Sequence, residues 1–294
     1  MSVLENDVYS NIFQCDGADT VSETSGSEYS TEDEAYTERE AAVLVPAAAQ
    51  PPAGQPLVLE VDETGTRELP ASLPLVMLTN ARSLYNKVDN FKKWLLEVFP
   101  DCAVISESWE GESRRLSLQD LLAGTPYKVH SYRRPRGRSG GGCAVIFNEA
   151  RFKVEKINVN VEAGLEVIWV IMTPKILDHK LQRIKRICVG SVYIAPRSVL
   201  KSETISHIIQ TIHYVRSIYD NQVSFLIAGD INRTDYTDII DSYGALKQCV
   251  TVGTRKQATL EVILSDLINL YHPPTTKPPC RSMRIKKGPI LTTI

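Results

Sequence analysis

From Leu75 onward the chain repeats one pattern: a short apolar run with β-branched members, closed by a polar or acidic residue. Residues 75–79 run into Asn80, Cys102-Ala-Val-Ile-Ser106 runs into Glu107, and Val223-Ser-Phe-Leu-Ile-Ala-Gly runs into Asp230-Ile-Asn232. Runs of this length and composition predict buried strands, which puts the closing polar groups at strand tips. A carboxylate there is held rigidly at the edge of a cleft, which suits a metal ligand or a base. Further strands are predicted over residues 128–132, 143–147, 152–159, 167–173, 187–194 and 258–264.

Helical spacing appears between these runs. Val88, Phe91, Trp94, Leu95 and Val98 form one apolar stripe, predicting a helix over 87–99 that packs on a sheet. A short helical patch follows at 115–122 and an amphipathic helix at 203–219. Many strands with helices between them, and no internal repeat, predict an α/β (α+β) fold: a four-layered, two-sheet sandwich flanked by helices. The glycine run Gly137-Arg-Ser-Gly140-Gly-Gly142 is followed by a strand and by no Lys-Ser/Thr, so it reads as a hairpin turn and not as a phosphate cradle.

Charge divides the chain in two. Residues 1–70 hold 15 Asp+Glu against Arg39 and Arg67, a net of −13, while residues 71–294 hold 31 Lys+Arg against 20 Asp+Glu, a net of +11. The first stretch is rich in Ser, Thr and Glu, then in Pro and Ala. It cannot bury enough apolar area to offset its ordering entropy, and is expected to be a disordered leader ahead of a single basic domain. A basic body favours a polyanionic partner such as DNA. No apolar run reaches the roughly 18 residues that span a bilayer, and the N-terminus lacks a basic-then-apolar signal pattern. The expectation is an intracellular protein, nuclear or cytoplasmic, with no membrane partner. The cysteines are scattered, without a Cys-x-x-Cys pair, and are expected to be reduced thiols.

Several motifs occur in a recognisable order: Thr79-Asn80-Ala-Arg-Ser-Leu84, Ile105-Ser-Glu107-Ser-Trp109, Gly140-Gly-Gly-Cys-Ala-Val-Ile146, Gly190-Ser-Val-Tyr193-Ile-Ala-Pro196 and Ala228-Gly-Asp230-Ile-Asn232. Over residues 74–282 this order resembles the endonuclease/exonuclease/phosphatase superfamily. Within it, the chain is most like the apurinic-type endonuclease domain of non-LTR (LINE-type) retrotransposon reverse transcriptases. The resemblance implies a metal-dependent phosphodiesterase that nicks DNA by in-line water attack. Glu107 would hold Mg²⁺ or Mn²⁺ with Asn80 beside it, and Asp230 would deprotonate the water. Asn232 and Tyr193 would contact the phosphate, and no small-molecule cofactor is implied. Glu261 stands where the family has Asp. Arg133, Arg134, Arg136, Arg138 and Thr254 are candidate DNA phosphate contacts.

The chain departs from that family near its end. The family's Ser-Asp-His is replaced by Ser282-Met283-Arg284, and none of His130, His179, His207, His213 or His272 stands in the motif position. A positioned acid of this kind contributes roughly 10²–10⁴ in rate. The sequence also stops at Ile294, shortly after the point where the family adds a closing strand. The domain is therefore expected to be truncated or divergent after residue 282, and the fold incomplete at its C-terminus. Two other functions stay open on the sequence. One is a catalytically inactive remnant that binds nucleic acid or protein; the other is a phosphomonoesterase or inositol-phosphate phosphatase.

Overall fold

Alternation along the strands decides which side chains meet between the sheets. The computed structural model describes residues 73–111, 116–135, 140–177, 184–250 and 259–271, with the backbone of three further strands. In chain order the elements are β1 (Ala42–Val45), β2 (Val76–Asn80), α1 (Val88–Val98), β3 (Cys102–Ser106), α2 (Leu118–Leu121), β4 (Tyr127–Tyr132), β5 (Cys143–Asn148) and β6 (Phe152–Lys156). They continue as β7 (Glu166–Pro174), β8 (Arg186–Tyr193), α3 (Lys201–Tyr219), β9 (Val223–Asp230), α4 (Thr237–Ser242), β10 (Lys247–Gln248), β11 (Glu261–Ser265), β12 (Pro274–Lys277) and β13 (Gly288–Leu291).

These strands form two sheets, ordered β1-β12-β13-β2-β3-β5-β4 and β10-β11-β9-β8-β7-β6. Each contains one parallel pair, β2 with β3 and β8 with β9. Three apolar clusters define the layers. Val76, Leu78, Val104, Val145, Val170, Val189, Leu226 and Ile263 meet between the sheets. Met77, Ala103, Ile105 and Ile146 face outward under α1 and α2, with Phe91 and Leu95 of α1 against them. Trp169, Cys188, Phe225, Ile227 and Val262 face outward on the second sheet, under Ile205, Ile208 and Ile212 of α3 and Ile239 of α4. The four-layered two-sheet sandwich expected from the sequence is the architecture observed.

Some elements differ from the reading of the sequence. The strand expected over 152–159 ends at Lys156, with one further bond from Ile157 N to the Trp169 carbonyl (3.0 Å). α4 and β10 were not anticipated, because elements of six and two residues carry no usable periodicity. Within the stretch expected as a disordered leader, Ala42–Val45 forms β1, antiparallel to β2 with Leu44 opposite Met77. The physical reason is that β2 offers an edge whose backbone groups pair this apolar run; the rest of residues 1–70 lies outside the described residues. Gly288–Leu291, expected to supply only a fragment of a closing strand, forms the four-residue β13 beside β12 and reaches β2 at Ile290 opposite Met77. Residues 278–287, which include the Met283-Arg284 departure, lie outside the described residues. Cys102, Cys143, Cys188 and Cys249 are buried free thiols, while Cys15 and Cys280 fall outside the described residues.

β9 approaches β8 so closely that a Cβ at Gly229 would run into the Val192 carbonyl. That contact fixes the glycine immediately before Asp230. We expect Gly229→Ala to destabilise the fold by about 1–3 kcal/mol or more, since β8 and β9 must separate to admit the methyl group. Urea unfolding followed by circular dichroism measures it, and an unchanged midpoint would contradict the packing described.

Candidate active site

Each inner apolar stripe ends in a polar residue at the same end of the sandwich. On β2, Val76 and Leu78 lead to Asn80; on β3, Cys102 and Val104 lead to Ser106; on β9, Leu226 and Ala228 lead to Asp230. β11 runs the other way, so Ile263 leads back to Glu261. Strand register then lines these residues up. Glu166, Tyr193, Asp230 and Glu261 are directly paired neighbours across β7, β8, β9 and β11. Asn80, Ser106, Cys143 and Tyr132 do the same across the facing sheet. The two rows meet beyond the carboxyl ends of both parallel pairs, where open α/β sheets place ligands.

Side-chain contacts close the gap between the rows. The Asn80 amide donates from Nδ2 to Glu107 Oε1 and to Asp230 Oδ2, both at 2.8 Å. The Ser106 hydroxyl accepts from the Asp230 N–H at 2.9 Å. Asp230 Oδ1 accepts from Asn232 N at 2.9 Å, an Asx-turn, while Asn232 Nδ2 donates to the Ile194 carbonyl at 2.7 Å. Asn232 therefore keeps one amide proton for another acceptor. Backbone strain gathers at the same place: Glu107 (φ 51°), Trp109 (φ 56°) and Asn232 (φ 53°) all sit in the left-handed region. For side chains of this size that conformation persists only where surrounding contacts dictate it. Here Trp109 N donates to the Gly141 carbonyl (2.8 Å) and Ser83 N to the Glu107 carbonyl (2.9 Å).

Burial dominates the electrostatics. It pushes the Asp230 carboxyl up to about 7, with the neighbouring Glu261 and Glu107 carboxylates adding to the rise and hydrogen bonds from Asn80 and Asn232 opposing it. The buried Tyr193 phenol is raised by desolvation, then by the carboxylates of Glu107, Asp230 and Glu166, with Arg134 opposing. Arg134 forms a largely buried ion pair with Glu166, which also accepts from Gly142 N. The glycines make this possible: a Cβ at Gly141 would collide with the Arg134 guanidinium, and one at Gly142 would stand 2.7 Å from Ser108 Oγ. The flanking strands pair antiparallel, with Tyr132 of β4 opposite Cys143 of β5.

The structure thus brings Asn80, Glu107, Tyr193, Asp230, Asn232 and Glu261 together at one end of the sandwich. The candidate phosphate contacts are dispersed. Arg133 is half exposed and bonds through Nε to Glu110 Oε1 (2.9 Å), Arg134 is committed to Glu166, and Arg136, Arg138 and Thr254 lie outside the described residues. No described histidine joins the site. His207 is buried and accepts from Trp169 Nε1 (3.1 Å), His130 packs on Phe147, and His213 is exposed on α3. Reasoning from sequence missed Ser106 and Glu166, although the alternation Cys102-x-Val104-x-Ser106 marks the former as inward-facing.

Among the described residues no group of three or more His, Cys, Asp or Glu is arranged to hold a metal ion. The donor set nonetheless fits a hard cation with few protein ligands. Burial raises Asp230 and the nearby Glu261 and Glu107 carboxylates add to it, and Mg²⁺ commonly uses one or two carboxylates, completing its shell with water and phosphate oxygens. Asn80 turns its nitrogen, not its oxygen, toward both carboxylates, so here it orients Glu107.

Two facing mixed sheets with helices outside are also the fold of solved nucleases and phosphatases. Solved structures of that fold superpose on the chain. The AP endonuclease LMAP of Leishmania major does so with a TM-score of 0.55 at 10% identity, over 74% of this chain and 87% of that one. An AP endonuclease of Archaeoglobus fulgidus gives 0.52 at 14% identity, over 74% and 96%. The 3′ phosphatase NExo of Neisseria, bound to a product DNA hairpin, gives 0.50 at 11% identity, over 74% and 98%. At these identities the likeness is one of fold. The sequence matches no protein-family model and no curated protein. No helix among the described residues is long and apolar enough to cross a membrane.

The raised Asp230 carboxyl has a thermodynamic signature. Its folded value near 7 exceeds the ordinary 3.8, so the stability it confers is fully present below about 3.8 and is lost as pH rises through 7. Asp230→Asn, which carries no charge at any pH, is therefore expected to raise Tm at pH 8 in EDTA and to lose more than half of that advantage by pH 5. For a domain of this size each kcal/mol moves Tm by about 2–4 °C. Thermal melts of both proteins at the two pH values test it; a pH-independent difference would refute the shift.

Proposed function

We propose that this chain is a metal-dependent phosphodiesterase that nicks DNA and derives from a LINE-type retrotransposon endonuclease. The observation that carries the reading is the Asn80 amide bonded at once to Glu107 and Asp230, at the shared end of two parallel strand pairs. It supports a site in which one carboxylate handles a proton while the other stays available to a cation. Asp230, raised to about 7, is poised to take a proton from an attacking water near neutral pH. Glu261 behind it contributes by raising that affinity.

As the water oxygen bonds to phosphorus, the opposite P–O bond breaks and releases a 3′-oxyanion, which takes a proton from solvent to become the 3′-hydroxyl. The remaining amide proton of Asn232 and the Tyr193 phenol would donate to the phosphate oxygens. Mg²⁺ or Mn²⁺ would be held by Glu107, oriented by Asn80, and when bound supplies Lewis-acid polarisation of the phosphate. Duplex DNA suits the +11 charge of residues 71–294. The Asn80-Ala-Arg-Ser opening, by its resemblance, also favours DNA over small phosphate esters. Because Met283-Arg284 replaces the family's Asp-His, turnover is expected to be slower by about 10²–10⁴ than in a chain with the pair.

Supercoiled-plasmid nicking with Mg²⁺ or Mn²⁺ tests the reading. The wild type is expected to nick, and Glu107→Ala and Asp230→Ala each to lose at least about 10² of the rate. A folded wild type that never nicks would leave an inactive relative of the fold. Faster release of phosphate from small monoesters than nicking would favour the phosphatase reading.

A further inference from the structure

Glu107 is followed by a strap, Ser108-Trp109-Glu110-Gly111, whose contacts have no part in the chemistry outlined above. Its central side chain is an indole left 37% exposed, whereas the other two tryptophans of the chain, Trp94 and Trp169, are 6% and 1% exposed. The indole is held on several sides. Its Nε1 donates to Glu107 Oε2 at 3.4 Å, its backbone N–H is tied to Gly141, and the side-chain-free Gly140 lies against it, where a Cβ would stand 3.7 Å from Nε1. The backbone beneath it is left-handed. Burying so large an apolar side chain is the usual outcome, and this one is instead fixed in the open beside a catalytic carboxylate.

The next residue, Glu110, anchors a cation. Glu110 is buried and holds the half-exposed Arg133, which together with Lys156 and Tyr132 lines a cleft of about 330 Å³. An aromatic plane followed by guanidinium and ammonium groups is the chemistry that binds nucleic acid strands, by stacking bases while tracking the backbone.

We propose that Trp109 is the stacking platform for a nucleobase adjacent to the phosphate that the site acts on, with Arg133 facing the next phosphate. The assignment rests on the phosphodiesterase reading and adds what part of the substrate the site recognises: a base splayed from its stack. Stacking demands a π-face and tolerates any base, so it selects unpaired or deformable DNA and not a sequence. It needs no change in the strap, because Glu107 already satisfies the indole N–H and leaves the ring for the ligand.

The full chain is titrated in EDTA with a single-stranded DNA 12-mer and with a 12-mer of abasic sites. Tryptophan fluorescence and fluorescein anisotropy are followed together. The exposed emission belongs to Trp109, so the base-bearing strand is expected to quench it and the abasic strand to leave it unchanged. Trp109→Ala is expected to weaken the base-bearing strand about 5- to 100-fold and the abasic strand little, and Trp109→Phe to restore most of the loss. Strands that bind equally and leave the fluorescence unchanged overturn the platform while leaving the nuclease reading intact. Absence of binding by either strand overturns the platform together with DNA as the substrate. Should Trp109→Ala fail to fold, the wild-type quenching and Trp109→Phe decide the matter.

Discussion

Asp230 is held by three groups, two of them from distant parts of the chain: the Asn80 amide on its carboxylate, the Ser106 hydroxyl on its backbone N–H, and the neighbouring Asn232 N–H closing a turn behind it. Two of the three come from the opposite sheet. The site therefore exists only if both sheets hold their register and face each other at a fixed spacing. A slip of one residue in any of β2, β3 or β9 would turn its polar tip away from the interior. The valines, leucines and isoleucines between the sheets thus set the geometry of the site as well as the stability of the fold.

That arrangement works against stability at its polar end. Asp230 and Glu261 are directly opposed and buried, and lost hydration, then repulsion from Glu261, raises Asp230. Hydrogen bonds from Asn80 and Asn232 oppose the rise without cancelling it. The unfavourable charge is tolerated because it sits at one end of a continuous apolar core. The same conflict makes the site useful: a carboxylate that shares its proton readily near neutral pH can accept one during a reaction and release it afterwards.

Loops at this end are shaped by the site in a way composition does not reveal. The strands flanking the glycine run pair as antiparallel neighbours, and the reason for Gly141 and Gly142 is local. Arg134 lies across Gly141 to reach Glu166, and Glu166 takes the Gly142 N–H as well. An arginine that reads as a phosphate contact in the sequence is thereby a structural cation, mostly covered and paired with Glu166. Arg133, its neighbour, keeps half of its side chain in the open.

Much was legible in the sequence because it depends on local order. Runs of β-branched residues and a 3.6-residue stripe predicted the strands and α1, and polar residues closing those runs marked Asn80, Glu107 and Asp230. Inward parity, too, is a property of sequence once a strand is granted: Val76, Leu78 and Asn80 must share a face. What no local pattern contains is which strand lies beside which. The register that sets Glu261 against Asp230 and Tyr193 against Glu166, the Ser106 bond across the sandwich, and the pairing of Arg134 with Glu166 over 32 residues of chain were decided by tertiary structure. The short elements α4, β10 and β1 were decided there as well, since segments of two to six residues gain their hydrogen bonds and buried area only from neighbours that the fold provides.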